Sequence, residues 1–270
     1  MPAHLPSEEL ALVMQNSGLN GVGRRNEAML KIAELPVLYL DNHLLVVNKP
    51  SGLRSQGDRS GAPTVLSLAR ALIRERFDKP GNVYLGLVQR LDAPVSGVMV
   101  LARTSKAAAR LTRQFREHTV EKVYLALVEG VLEGQGTWVD FIAPARDHMR
   151  LVPEDHPWGK RAVLRWQALM TRNGLTLVRL MPETGRKHQI RVQLAFRGYP
   201  ILGDRRYRAR RWLAPGQIAL HAWKLSLTHP TRRERMSWMA PVPSCWDEAF
   251  RLQVDRLLVY LEAAGPEGIR

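Results

Sequence analysis

The 270-residue chain is poor in several things, and each scarcity closes off a class of protein. Cys245 is the one cysteine, so no intrachain disulfide can form and no cysteine-based zinc set exists, which favours a reducing compartment. His148 and His156 lie eight apart, without metal-ligand spacing, and no metal site is expected. No apolar run reaches the roughly 18 residues of a membrane span. The first twenty residues include Glu8 and Glu9 and show no signal-peptide pattern. A soluble, cytoplasmic protein with no membrane partner is expected. Acidic residues are also scarce, 25 Asp and Glu against 40 Lys and Arg, for a formal net charge of +15. A surplus of that size in a folded domain attracts polyanions and makes nucleic acid the leading partner class.

What is present is ordinary enough to fold: 45% hydrophobic and 24% charged residues support a core without covalent staples. The basic surplus is clustered. Arg205, Arg206, Arg208, Arg210 and Arg211 fall within seven residues, beside Tyr207 and Trp212. Arginine makes planar bidentate phosphate contacts, and neighbouring aromatics stack on unpaired bases.

Residues 1 to 35 read as an appended arm, with a short helix capped by Ser7 through Met14 before a glycine-rich break. Strand patterns follow at Val37 to Leu40 and Leu44 to Val47, the second running into Asn48-Lys49-Pro50-Ser51-Gly52, where Lys49 is a candidate phosphate contact. Thr64 caps a predicted helix through about Phe77, and Ser105 another to about His118. Between them, Leu85 to Val88 and Val98 to Ala102 read as short buried strands around a turn forced by Pro94 and Gly97. Asp92 therefore sits on a loop. Lys122 to Val128 alternates as a strand that turns Tyr124 away from its more apolar face.

Thr137 to Arg161 is polar and Pro-rich and reads as an excursion. A hairpin around Asn173-Gly174 joins Ala162 to Met170 with Leu175 to Met181. The segment from Thr184 opens a helix to about Phe196, His221 to Leu227 is a late strand, and Ser244 caps a C-terminal helix. Short strands mixed with three or four helices give an α+β domain over residues 36 to 260, followed by a tail over 261 to 270.

Six motifs occur in one order: Asn48-Lys49-Pro50-Ser51-Gly52; Arg90-Leu91-Asp92 with Ser96-Gly97; Lys122-Val123-Tyr124; Thr184-Gly185-Arg186 with His188-Gln189-Ile190-Arg191; Gly203-Asp204 with Tyr207; and Leu220-His221-Ala222 with His229-Pro230. In that set and order the chain resembles the RluA type of pseudouridine synthase. The resemblance implies a mixed, largely antiparallel sheet with flanking helices, and cofactor-free isomerisation of uridine in a stem-loop of tRNA or rRNA. It matches Asp92 to the family's essential aspartate, Arg191 to its ion-pair partner, and Tyr124 to the residue that packs on the target base. A carboxylate suits either addition to the substrate or proton abstraction at the ribose. Lys49, Arg90 and Arg186, with the cluster from Arg205 to Arg211, are the expected RNA contacts. Arg186 is the second candidate to pair with Asp92, and His188, Gln189, His221 and His229 are expected to be structural.

Two positions depart from the family pattern: Gln89 stands where histidine is common, and Val95 where threonine is. Family members often carry an N-terminal S4 RNA-binding domain, for which 35 residues are too few. RNA binding would then fall to the catalytic domain, acting as a monomer without a stable protein partner. The competing readings are a catalytically inactive RNA-binding or ribosome-assembly protein of the same fold, and a nucleoside hydrolase, which would want a second acid beside Asp92.

Overall fold

Strand β2 (Leu44–Lys49) and strand β4 (Ser96–Ala102) are apolar at nearly every position because both of their faces are covered. Leu45, Val47, Met99 and Leu101 face one core, and Leu44, Val46, Val98 and Val100 face a second. The structure, a computed structural model, describes residues 35–57, 61–78 and 80–263. The arm expected over 1 to 35, including the helix from Ser7, lies outside the described residues except for Leu35, as do residues 264 to 270 of the tail.

Helix α1 (Val65–Arg76) closes the larger core with Val65, Leu68, Ala69 and Ile73. Thr64 caps it as expected, its hydroxyl accepting from the Ser67 N–H while Ser67 returns a bond to the Thr64 backbone. Helix α2 (Ser105–Arg116) covers the second core with Ala107 and Leu111. Its cap is Thr104, whose hydroxyl accepts from the Ala107 N–H, rather than Ser105. Asp247 likewise replaces Ser244 at the start of the last helix, accepting from the Ala249 N–H.

The strands are β1 (Val37–Leu40), β2, β3 (Gly86–Leu87), β4, β5 (Glu121–Glu129), β6 (Gln135–Pro144), β7 (Met149–Val152), β8 (Lys160–Arg172), β9 (Leu175–Pro182), β10 (Leu220–Thr228) and β11 (Arg235–Met239). They form one eleven-stranded sheet in the order β1-β2-β4-β10-β5-β9-β8-β6-β7, with β11 on β10 and β3 on β4. The fold class is the expected one: a mixed, largely antiparallel sheet with flanking helices. Helix α3 (Gln189–Phe196) follows β9, and α4 (Glu248–Ala263) closes the chain, with Phe250 and Val254 in the larger core.

The segment from 137 to 161, expected to be an excursion, is mostly strand. β6 and β7 lie at the sheet edge, where one face stays wet, so their sequence carries no apolar run. The Asn173-Gly174 turn does form the hairpin joining β8 and β9, both residues taking positive φ (+53° and +68°) as a two-residue hairpin turn requires.

One pairing is parallel, β4 with β10 through Ser96–His221 and Gly97–Ala222. Two of the motifs read separately in sequence therefore meet as one joint. Gly97 has φ +116°, and a Cβ there would lie 2.2 Å from the Ala222 carbonyl oxygen, so only glycine fits. His221 is fully buried, its Nε2–H donating to the Ala240 carbonyl at 3.2 Å and its Nδ1 accepting from the Ser96 hydroxyl at 2.8 Å.

Burial lowers the His221 pKa to about 4, against the opposing pull of the Ala240 carbonyl. The unfolded chain takes up a proton near 6.5 and the folded chain does not, so this group stabilises the fold above pH ~6.5 and loses that contribution as pH falls toward 4. Denaturant midpoints should therefore fall between pH 7 and 4, and the His221→Asn variant should show a shallower fall over the same range.

Candidate active site

Asp92 lies on the loop between β3 and β4, and residues 49 to 55 hold that loop by its backbone carbonyls. Lys49 Nζ donates to the carbonyls of Ala93 (3.0 Å), Pro50 (2.9 Å) and Leu53 (2.6 Å). The Gly52 N–H donates to the same Ala93 oxygen at 2.8 Å, the Ser51 hydroxyl to Pro94 at 2.6 Å, and the Ser55 hydroxyl to Leu91 at 2.7 Å. This corrects the expectation for Lys49. Its side chain is 0% exposed and its three N–H groups already have three acceptors, so it braces the Asp92 loop and does not reach phosphate. Burial pulls its pKa down to about 7, with Asp92 pulling the other way.

Arg191, the third residue of α3, supplies the other half of the arrangement. Its Nη1–H donates to Asp92 Oδ2 at 2.9 Å, while Nε and Nη2 donate to the two oxygens of Asp204 at 2.7 and 2.9 Å. The Tyr207 ring lies 5.1 Å from the guanidinium carbon. Burial opposes the Arg191 charge, but Asp204 first and Asp92 second outweigh it and raise the pKa above the ordinary arginine value. Arg186 makes no bond to Asp92; its Nε–H donates to the Arg161 carbonyl at 2.9 Å. Asp204 was quoted in the motif set, but its part as the principal anchor of Arg191 was not read from sequence.

α3 begins later than expected because residues 185 to 188 form its approach. Gln189 ties that approach to β8: its Oε1 accepts from the Thr184 hydroxyl (2.7 Å) and the Arg186 N–H (3.0 Å), and its Nε2–H donates to the Val163 carbonyl (3.0 Å). His188 then sits at φ +54°, a left-handed conformation that costs a non-glycine residue energy. The Met149 N–H donates to the Tyr207 oxygen at 3.0 Å, which leaves the Tyr207 hydroxyl to donate to His188 Nδ1 at 2.8 Å. The ring proton is thereby placed on Nε2, 3.5 Å from Asp92 Oδ2. Burial keeps the His188 pKa well below the usual histidine value, against the pull of Asp92.

The Asp92 side chain is 30% exposed at the floor of a cleft of about 740 Å³. Oδ2 is occupied by Arg191, and Oδ1 accepts no hydrogen bond from any described residue. Tyr124 stands half-buried in the same cleft, its phenol pushed above the ordinary range by burial and by Asp92. Asp92 is the only carboxylate among the described lining residues, whereas Arg54, Arg90, Arg116, Lys122, Arg186 and Lys187 all line the walls. A two-carboxylate hydrolytic site has no second acid here. Arg54, Arg116, Lys122 and Lys187 were not expected; they come from four separate stretches of the chain, and only the fold gathers them. Gln89 lines the cleft and donates to the Val98 carbonyl at 3.2 Å, and Val95 is buried beside it.

The Arg205 to Arg211 cluster is elsewhere. Arg206, Arg208 and Arg210 line a second cavity, and Arg211 donates to the Asn173 carbonyl at 2.8 Å.

A family model described as RNA pseudouridylate synthase matches residues 43–196. The chain belongs to the RNA pseudouridylate synthase family. It is an isomerase that acts on RNA. Among curated relatives, it is 36% identical over 223 residues to ribosomal large subunit pseudouridine synthase C of Vibrio parahaemolyticus, covering 79% of this chain and 68% of that protein. It is 38% identical over 213 residues to the dual-specificity RNA pseudouridine synthase RluA of Haemophilus influenzae, covering 76% of this chain and 92% of that protein. Among solved structures, human RNA pseudouridylate synthase domain containing 4 superposes with a TM-score of 0.69 at 27% identity, over 87% of this chain and 98% of that one.

Two substitutions test how this synthase holds its site. Lys49→Met keeps the buried stem but strands the Pro50 and Leu53 carbonyls and leaves Ala93 only the Gly52 N–H, and should lower unfolding free energy by about 2–4 kcal/mol in urea titrations. Asp204→Ala leaves the Arg191 guanidinium with only Asp92, and should cost about 3–5 kcal/mol by the same measurement.

Proposed function

We propose that Asp92 Oδ1 is the atom through which this synthase acts on uridine, in a stem-loop of ribosomal or transfer RNA. The carrying observation is the division of labour within one carboxylate: Oδ2 is fixed by Arg191, while Oδ1 accepts no hydrogen bond from a described residue, in a cleft with no other carboxylate among its described lining residues. Isomerisation breaks the bond from uracil N1 to the ribose C1′, turns the base, joins C1′ to C5 and, by exchange with solvent, removes the C5 proton while N1 gains one. Addition of the carboxylate to the substrate and proton abstraction at the ribose both use the same oxygen. No net redox change or second substrate is involved, so the rearrangement itself calls for no redox cofactor.

Tyr124 is the platform against which the turning base packs, and Arg191 is the positioning residue that keeps Oδ1 aimed. Because a uridine within a helix hides its reacting atoms, the target base must leave its stack to reach the cleft floor. Unpaired loop nucleotides do so at least cost, and the cleft volume falls in the range of small-ligand sites. Arg90 and Arg186, both exposed at the cleft, are placed to meet the flanking phosphates. The relatives named for large-subunit ribosomal RNA support that substrate class, and the enzyme is proposed to work as a monomer in the cytoplasm.

Base-specific chemical mapping of pseudouridine in ribosomal and transfer RNA, incubated with the purified protein, tests the assignment. Wild-type protein should form pseudouridine at defined sites, and Asp92→Asn should lower kcat by at least about 10³-fold while changing RNA affinity less than about threefold. Activity of Asp92→Asn near wild type would remove the carboxylate from the mechanism.

A further inference from the structure

The second cavity, about 710 Å³, is linked to the Asp92 cleft through the His188–Tyr207 pair: His188 lines the cleft, Tyr207 lines the second cavity, and the two are hydrogen-bonded at 2.8 Å. Its lining carries Arg150, Arg206, Arg208 and Arg210 against one carboxylate, Glu129, which already accepts the backbone N–H groups of Arg210 and Arg211 at 3.0 and 2.6 Å. No ion pair engages the side chains of Arg150, Arg208 or Arg210 among the described residues. Phe196, on the last turn of α3, is 70% exposed at this cavity, over an apolar floor that includes Val192 and Ala195. Arg208 takes φ +69°, a left-handed conformation in which glycine or asparagine would be easier, so its side chain is kept there at a backbone cost.

We propose that this cavity is a second nucleotide subsite, holding an unpaired base of the substrate RNA against Phe196 with its phosphates on Arg208 and Arg210. The proposal rests on the RNA-isomerase reading above and adds a place for a nucleotide other than the one isomerised. The chemistry is that of single-strand recognition: an accessible aromatic face for a base of any identity, and guanidinium groups for the backbone beside it. Charge and aromatic face occur together here. An acidic peptide would use the arginines and leave Phe196 without a role, which is why RNA is the occupant the lining favours.

The test uses full-length protein carrying Asp92→Asn, so that no turnover intervenes, with fluorescein-labelled decauridylate as the probe and fluorescence anisotropy read across a salt series. Arg208→Gly with Arg210→Gln should weaken binding about tenfold and flatten the plot of log K against log salt by about 1.4, the effect of two lost phosphate contacts on a single strand. Phe196→Ala should weaken binding about five- to tenfold with the slope unchanged, as loss of stacking does. In the Asp92 background these same substitutions should raise KM for pseudouridine formation in parallel. Wild-type affinity and slope in all the cavity variants overturn the proposal. So does an equal loss of decauridylate and decaaspartate binding in the arginine variant with no effect of Phe196→Ala. If the Asp92 protein forms no pseudouridine in any RNA but the cavity variants show these two signatures, the subsite stands and the catalytic reading falls; if it isomerises RNA and the variants bind as their parent does, the subsite alone falls.

Discussion

The site depends on one guanidinium held between two carboxylates. A buried arginine is costly unless its donors and charge are met, and Arg191 meets them in two unequal ways. Asp204, 2% exposed, takes two of its N–H groups in a bidentate bond, which is the stronger and geometrically stricter contact. Asp92 takes a single bond from the remaining edge and keeps 30% of its side chain accessible. Asp204 therefore anchors the guanidinium, and the guanidinium aims Asp92. Two carboxylates share one cation, so the cleft floor remains anionic at the one point where its walls are cationic. That contrast is what the proposed site requires: basic walls for a polyanion and a carboxylate for its base.

The rest of the frame serves that aim by fixing backbone rather than by touching substrate. The carbonyls of Leu91, Ala93 and Pro94 are all taken by donors from the segment after β2. A loop whose carbonyls are spoken for cannot flex without breaking several bonds at once. On its other side the loop runs into β4, whose parallel contact with β10 is so close at Gly97 that no side chain fits. His221 and Ser96 seal the same joint with a buried hydrogen bond. Rigid elements on both sides of Asp92 are what preorganisation of that carboxylate requires.

Much of this was legible in sequence where a local rule has a local cause. Thr64 and the Asn173-Gly174 turn act through neighbours a few residues away, and buried strands such as β4 announce themselves by continuous apolar text. The pairing of Arg191 with Asp92 was legible only through the resemblance, since 99 residues separate them. What stayed hidden depends on burial and on meeting at a distance. Lys49 reads as a candidate phosphate contact until its surroundings show three carbonyls. Edge strands β6 and β7 carry half-wet alternation that polar residues and proline obscure. The left-handed backbone at His188 has no glycine or asparagine to signal it. The Arg205 to Arg211 run was legible as charge, but its separation from the Asp92 cleft was not, because Tyr207 turns inward between its neighbours.

That inward turn links the two basic surfaces mechanically. Asp204 begins the short helical turn Arg205–Tyr207, so the anchor of Arg191 and the ring packed on it are three residues apart in one rigid unit. The Tyr207 hydroxyl is committed to both Met149 and His188, which ties the unit to β7 on one side and to the opening of α3 on the other. Arg206 and Arg208 project from the same turn into the second cavity. The turn cannot shift without moving Asp204 relative to Arg191, and Arg191 cannot move without re-aiming Asp92. A buried, fully bonded network of this kind responds to displacement by breaking bonds rather than by bending. Arg206 and Arg208 of the second cavity are therefore built on the same turn that sets the geometry of the carboxylate within the cleft.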